Sequence, residues 1–491
     1  MVSNYLIFLL SYFLIVFSVI GHGLLAIKFT KINVSIDEIG FVGLVGIFFL
    51  MLYSYITHFF ISHGYIHNII FITVGLISIY YFRNKLLTKK NLIFLFSIFF
   101  IIFLAFVIFK THDDFGYYHF PYSYYLNKFS MIIGIGPLNL GFRTPSSIFY
   151  LNSLFYLPYL DYYLYHMGAI LVLGFTNIIL ISNIKKYLDE KQNNEFFFLN
   201  LLAFIFINVF FYRLAEHGTD RSAQILIFLF FIYILSLREN YEKYDNILPK
   251  LIILLSIIIS LKSFYILYLI LLLPIFVYIK KFSTSYYKNL KIIFANFFTI
   301  CSICLVILVF LTFFFNTSCI IYPLDFTCFE QTSWSIPKNN VKAMNDWYEL
   351  WSKAGATPNL RVENPSIYIT GFNWVDGWID RYFFNKVSDF LLGLLFIILI
   401  IFFLFRKDIS FINLKNIDKY ILTTFLIIFL LVCEWFYNHP ALRYGGYTVI
   451  ALIFFIPLSF LISIKKNNVY MIFKKVISLL IIVSIIFLSR N

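Results

Sequence analysis

The run Thr111-His112-Asp113-Asp114-Phe115-Gly116-Tyr117-Tyr118-His119-Phe120-Pro121 follows directly on an apolar stretch, Asn91 to Phe109. That stretch is long enough to cross a bilayer. Two adjacent carboxylates at the mouth of a transmembrane bundle form a reactive constellation, because a boundary acid is a ready proton acceptor. His112 and His119 could join them as ligands of a divalent metal ion. Adjacent side chains point in different directions, so one of Asp113 and Asp114 is expected to act, not both. A blander reading also exists: an acid there can simply end a helix and stay hydrated.

Other charged residues share the same kind of position. His217 and Asp220 sit three apart, with Arg213 and Arg221 beside them. Lys262 interrupts a long apolar run, and a base at membrane depth rarely lacks a partner or a function. Its alternative is to snorkel to the surface. Arg443 follows Pro440 and precedes Tyr444-Gly445-Gly446, and could equally be an interfacial residue at a helix start. Glu434, inside an apolar run, is a candidate partner for one of these bases.

Composition fixes the elements that must carry them. Of 491 residues, 61% are hydrophobic and 13% charged, about half the charge of a soluble domain. Fourteen apolar spans are expected, at 5–27, 39–60, 67–82, 91–109, 166–182, 196–212, 222–237, 249–261, 264–279, 292–315, 387–405, 420–436, 446–463 and 473–489. The fold class is therefore all-α, a polytopic bundle of 13–14 transmembrane helices. The first span has no basic residue before it and no cleavage site after it, so it reads as permanent. The pair 249–261 and 264–279 reads as two crossings or a hairpin about Lys262-Ser263.

Basic residues orient the chain. One set of connections carries 24 of the 38 lysines and arginines and the whole net charge of +14. That face is expected to be cytoplasmic. The charge reflects topology and anionic lipid, not nucleic acid. The acid run, 213–221, Lys262, 316–386 and 437–445 then all lie on the outer face. No loop holds a nucleotide-binding domain or a phosphate loop, which argues against ATP-driven transport.

Within the outer segments, 110–165 is rich in tyrosine and is broken by glycine and proline at 134–137, with Asn139 and Arg143 just beyond. It reads as one or two short helices lying in the membrane interface. Cys319 and Cys328 suit a disulfide-closed loop in an oxidising compartment. Cys301, Cys304 and Cys433 fall inside spans and read as core residues. The sequon at Asn316-Thr317-Ser318 reads as accidental.

An acid pair just after a membrane helix, interfacial helices, many spans and a later outer loop together resemble the GT-C superfamily of integral-membrane glycosyltransferases, and within it uncharacterised bacterial multispan members. The likeness covers about residues 91–465. It rests on five runs: His112-Asp113-Asp114-x-x-Tyr117-Tyr118-His119-x-Pro121, Asn139-Leu140-x-x-Arg143, Glu216-His217-Gly218-Thr219-Asp220, Cys319-x-x-Tyr322-Pro323-x-x-x-Thr327-Cys328, and Pro440-x-x-Arg443-Tyr444-Gly445. In the superfamily the acid motif usually follows the first span; here it follows the fourth.

The resemblance implies three added N-terminal spans (1–90), a core with its first outer loop (91–315), an outer loop (316–386) and C-terminal spans (387–491). It also implies transfer of a sugar from a polyprenyl-phosphate donor to a lipid, glycan or protein acceptor, with inversion, at the outer face of a bacterial inner membrane. Asp113 or Asp114 would be the base. His119, Arg143, His217, Asp220, Lys262, Arg443 and Tyr444 would line the substrate site. No cofactor is implied, a divalent metal being optional. Two other readings are a transporter or flippase of a lipid-linked glycan, and a surface-polysaccharide polymerase or ligase.

Overall fold

The computed structural model describes residues 2–30, 38–82, 88–108, 112–190, 195–214, 218–237, 244–282, 295–357, 362–411, 419–464 and 469–491. Apolar runs become helices because a helix satisfies every backbone polar group within itself, which lipid cannot do. Among the described residues nine helices are long and apolar enough to cross a membrane, and four shorter apolar helices accompany them. The chain is thus a multi-pass membrane protein built as an all-α bundle.

The long helices are α1 (Val2–Thr30), α2 (Ile39–His58), α3 (Tyr65–Phe82) and α4 (Lys89–Val107). After two short helices, α5 (Phe120–Lys128) and α6 (Ser147–Ser153), come α7 (Met167–Glu190), α8 (Glu195–Phe210), α9 (Asp220–Ser236) and α10 (Tyr244–Leu261). Lys262 is extended and breaks α10 from a ten-residue 3-10 helix, Ser263–Leu272, which runs on as α11 (Leu273–Phe282). Next come α12 (Phe297–Thr317) and an amphipathic helix, α13 (Lys338–Lys353). Two short helices follow, α14 (Pro365–Ile369) and α15 (Val375–Trp378), and then a π-helical run, Ile379–Val387. The last are α16 (Ser388–Phe405), α17 (Lys419–Asn438), α18 (Gly446–Leu461) and α19 (Val469–Arg490).

A two-stranded antiparallel pair, Ile409–Phe411 with Ile462–Ile464, is the one departure from all-α among the described residues. Within the described residues every expected span coincides with a helix, but several, such as 196–212 and 446–463, are helices of fewer than eighteen residues.

The first three helices do not hang off the bundle. α2 is buried over most of its length between α1 and α7. Its end and the loop after it are bonded to the segment 112–165. His63 Nδ1 meets Ser153 Oγ at 2.7 Å, Asn127 donates to the His63 carbonyl at 2.7 Å, and Asn68, in the first turn of α3, donates to the Ser153 carbonyl at 2.8 Å. α6, one of the short helices expected in this segment, is buried on every side. Its serines are consumed by partners from α2 and the α2–α3 loop, so it packs as an interior element.

Three smaller expectations are also revised. Cys304 and Cys433 face outward from their helices, whereas Cys301 is buried. Asn316 of the sequon is fully buried and donates to the Phe142 carbonyl at 2.8 Å, which closes it to glycosylation. Glu434 is bonded by Asn438 at 3.1 Å, one helical turn on, rather than by one of the bases.

Candidate functional site

The ends of α9, α10 and α18 bring three distant charges together. Asp220 opens α9, Lys262 ends α10, and Arg443 lies in the loop before α18. Lys262 Nζ bonds Asp220 Oδ1, and Arg443 Nε bonds Asp220 Oδ2 at 2.9 Å. Thr219 Oγ1 is a third donor to the carboxylate, bonding Oδ1 at 3.1 Å. Burial pushes the Asp220 carboxyl up, but the two cations outweigh it and hold the group well below the usual carboxylate range. Burial draws the Lys262 ammonium down against the pull of Asp220. The Arg443 guanidinium stays charged: burial opposes its charge, and Asp220 more than restores it.

Arg443 faces the acid run with its other nitrogen. Its Nη2 lies 3.5 Å from Asp114 Oδ2, and its side chain keeps 40% of its exposure, against 28% for Asp114 and 9% for Asp220. The guanidinium and Asp114 are therefore both partly open to solvent, whereas Asp220 is buried. His112 Nδ1 also approaches Asp114 Oδ2, at 3.5 Å. The same nitrogen accepts the Asp114 amide N–H at 3.1 Å. It cannot at the same time donate to the carboxylate, so this contact is a turn, not an ion pair. Asp113, next door, is exposed and turned out of the cluster. Of the two acids, the geometry selects Asp114.

Aromatic rings flank the two cations. Lys262 Nζ sits 4.6 Å from the centre of the Tyr444 ring, and the Arg443 guanidinium lies 5.6 Å from that of Trp351 on α13. Tyr118 and Tyr348 lie within the field of Arg443. Stacking against ring faces suits a guanidinium and lowers its hydration.

The Arg443 loop is held along its length. Trp378 Nε1 donates to the Pro440 carbonyl at 3.1 Å, and Trp435 Nε1 to the Ala441 carbonyl at 2.9 Å. The Ala441 amide donates to Ser352 Oγ at 2.9 Å and the Leu442 amide to Tyr382 Oη at 2.8 Å. Gln224 of α9 donates to the Arg443 carbonyl at 3.0 Å. Gly445 closes the loop with φ +100° and the Tyr268 hydroxyl at 3.0 Å from where a Cβ would stand, a position only glycine fills easily.

His119 belongs to the same neighbourhood but touches none of the charges directly. Its ring packs on Tyr118 and Phe149, and its Nε2 is buried with no hydrogen-bond partner among the described residues. Burial lowers its pKa to about 3, with Asp220 opposing. Gly218, at φ +34°, leaves room for that ring. His217 lies outside the described residues. Arg143 is engaged elsewhere: its Nη1 donates to Tyr322 Oη at 2.7 Å and its Nε to the Gly136 carbonyl at 3.3 Å. It reaches the cluster only through Tyr348, whose hydroxyl feels both arginines. Cys319 and Cys328 form a disulfide. Among the described residues no group of three His, Cys, Asp or Glu side chains is placed to hold a metal ion.

Sequence reasoning missed Trp351, Gln224, Ser352, Trp378, Tyr382 and Trp435, which position Arg443. The density of tryptophan and tyrosine in 347–382 signals Trp351, Trp378 and Tyr382, whereas no local pattern marks Gln224, Ser352 or Trp435.

The chain belongs to the family described as a domain of unknown function, DUF8201, whose model matches residues 5–450. No curated protein and no solved structure matches it.

Proposed function

We propose that this protein is a membrane glycosyltransferase that moves a sugar from a polyprenyl-phosphate carrier to an acceptor hydroxyl at the outer face of a bacterial inner membrane. One observation carries the reading: an accessible carboxylate, Asp114, lies 3.5 Å from an accessible guanidinium, Arg443, that is fixed from behind. The reaction needs a base for the acceptor and a cation for the departing phosphate, side by side at a membrane boundary.

Asp114 takes the proton from the acceptor hydroxyl. That oxygen attacks the anomeric carbon from the side opposite the phosphate. The bond from the anomeric carbon to the phosphate oxygen breaks, its electron pair leaves with the lipid phosphate, and the configuration inverts. Arg443, with Lys262 behind it, stabilises the charge that grows on the phosphate. Asp220 is excluded as the base because both its oxygens are occupied and its pKa is depressed. Its role is to hold the two cations in place.

The test is transfer of radiolabelled sugar from a polyprenyl-phosphate donor in membranes bearing the protein or its Asp113→Asn/Asp114→Asn double variant. Transfer that depends on the unmodified protein and disappears in the variant is expected. Equal rates in both would remove the glycosyltransferase site and bring the transporter reading forward.

A further inference from the structure

The turn between α2 and α3 buries a histidine completely. His63 has no exposed surface. Its Nε2 meets Thr57 Oγ1 at 3.1 Å, and its Nδ1 meets Ser153 Oγ at 2.7 Å. Each hydroxyl also faces a backbone carbonyl: Thr57 Oγ1 that of Tyr53 at 3.0 Å, Ser153 Oγ that of Tyr150 at 2.7 Å. A neutral imidazole and two hydroxyls bring three hydrogens to these four contacts, and only an imidazolium brings the fourth.

The surroundings oppose that cation. His58 of α2 stands edge-on at 5.6 Å between ring centres, and His67 of α3 stacks on His63 at 4.9 Å. Tyr53 Oη meets His67 Nε2 at 3.0 Å, and Tyr125 of α5 and Tyr150 of α6 pack on His58. None of these groups is a carboxylate. Burial, and after it the two histidines, holds the His63 ring well below the usual histidine range. A proton added in place leaves a buried charge without a counter-charge, and exposure of the ring to water relieves it.

His63 also ties this turn to the interior helix α6 and to α5. Its amide donates to the Leu126 carbonyl at 2.9 Å, and its carbonyl accepts from Asn127 at 2.7 Å. The far end of α6 reaches the charged cluster. Ser146 Oγ donates to the Leu261 carbonyl at 2.6 Å, and Leu261 directly precedes Lys262. Phe149, within α6, packs on the His119 ring.

We propose that His63 is a pH-sensitive latch: neutral, it pins the α2–α3 turn to the end of α6; protonated, it leaves its pocket for water and loosens α6 and, through Ser146 and Leu261, the backbone at Lys262. The released ring titrates near 6.5 and the pinned ring lower. The latch is therefore closed above about pH 6.5, and each pH unit below that favours the open form by up to about tenfold. It acts whatever reaction the cluster performs.

The experiment follows amide hydrogen exchange of the purified full chain in detergent between pH 7.5 and 5.0, corrected for the intrinsic pH dependence of exchange. In the unmodified protein, protection of 60–64 and 147–156 should fall by about tenfold or more toward pH 5.0, with α16 and α19 changing less. His63→Gln, which gains no proton, should show protection of both segments that does not vary with pH. Ser153→Ala cuts the tie from the other side. In that variant 60–64 should still loosen in acid, while 147–156 is weakly protected at every pH. Protection that stays flat in the unmodified protein, that falls equally in α16 and α19, or that falls as far in His63→Gln overturns the latch. An unaltered pH dependence of 147–156 in Ser153→Ala overturns the coupling to α6.

Discussion

The loop 440–445 and the run 112–119 meet at one cluster but are held in opposite ways. In the loop, two tryptophans, a serine, a tyrosine and a glutamine grip the backbone from Pro440 to Arg443. The acid run is a short π-helical turn with few such ties. The Asp114 amide bonds only the neighbouring His112 ring, Asn139 donates to the Tyr117 carbonyl at 2.9 Å, and Asp113, Gly116 and Tyr117 are exposed. The difference is physical. A cation that must stabilise developing charge is most effective when it has nothing left to reorganise. A base that must meet an incoming acceptor needs access instead. On the proposed reading, rigidity falls on the phosphate side and openness on the acceptor side.

That contrast can be broken at the arginine. Arg443→Ala should reduce sugar transfer by about 10²–10³-fold and weaken binding of polyprenyl phosphate, since one fixed donor to a developing oxyanion has that order of effect. Arg443→Lys should not restore it, because an ammonium cannot reach Asp220 and Asp114 together. Full activity in the lysine variant would show that the fork geometry is irrelevant. Asp220→Asn attacks the same side from behind. It leaves two cations without their counter-charge and should destabilise the protein by about 3 kcal/mol. Thermal unfolding in detergent measures this. Asp114→Asn, on the open side, should shift the midpoint far less, and comparable shifts would erase the distinction between the two sides.

Tyr382→Phe tests the grip itself. It removes the acceptor of the Leu442 amide and should cost about 1 kcal/mol, with turnover reduced several-fold. Tyr117→Phe, on the acid run, should change neither stability nor turnover measurably.

The last effect is read against pH. His119 is neutral in the fold, its pKa lowered to about 3 by burial, whereas an unfolded histidine titrates near 6.5. Between those values the unfolded chain binds the extra proton. Stability is therefore complete above pH 6.5 and falls as the pH drops, by at most about 1.4 kcal/mol per unit for this group. His439, lowered to about 4 by burial and by Lys353 and Lys262, acts in the same direction. His119→Gln should flatten the decline of melting temperature between pH 6.5 and 4.5. An unchanged slope would show that the buried ring does not govern it.

Much of this was legible in the sequence, and the limits have physical causes. Apolar runs announce helices because lipid demands internal hydrogen bonding, so within the described residues every expected span falls on one. Lys262 stands out because an ammonium interrupts such a run. Asp220 as the hub does not stand out: its partners are 42 and 223 residues away, and no local pattern records a pairing at that distance. Arg143 is indistinguishable from Arg443 as a type, yet its fork is turned onto Tyr322. Glu434 looks like a partner for a base, but Asn438 on its own helix is nearer. The choice between Asp113 and Asp114 depends on how the turn after α4 is wound, which adjacent identical residues cannot encode.

That choice is also the sharpest test. Sugar transfer and polyprenyl-phosphate binding should be measured side by side in Asp113→Asn and Asp114→Asn, each of which keeps size and hydrogen bonding while removing basicity. The expected result is a loss of about 10²–10⁴-fold in transfer for Asp114→Asn, with lipid-phosphate binding retained, and near-normal transfer for Asp113→Asn. Full transfer by Asp114→Asn, or a larger loss in Asp113→Asn, would contradict the assignment of the base.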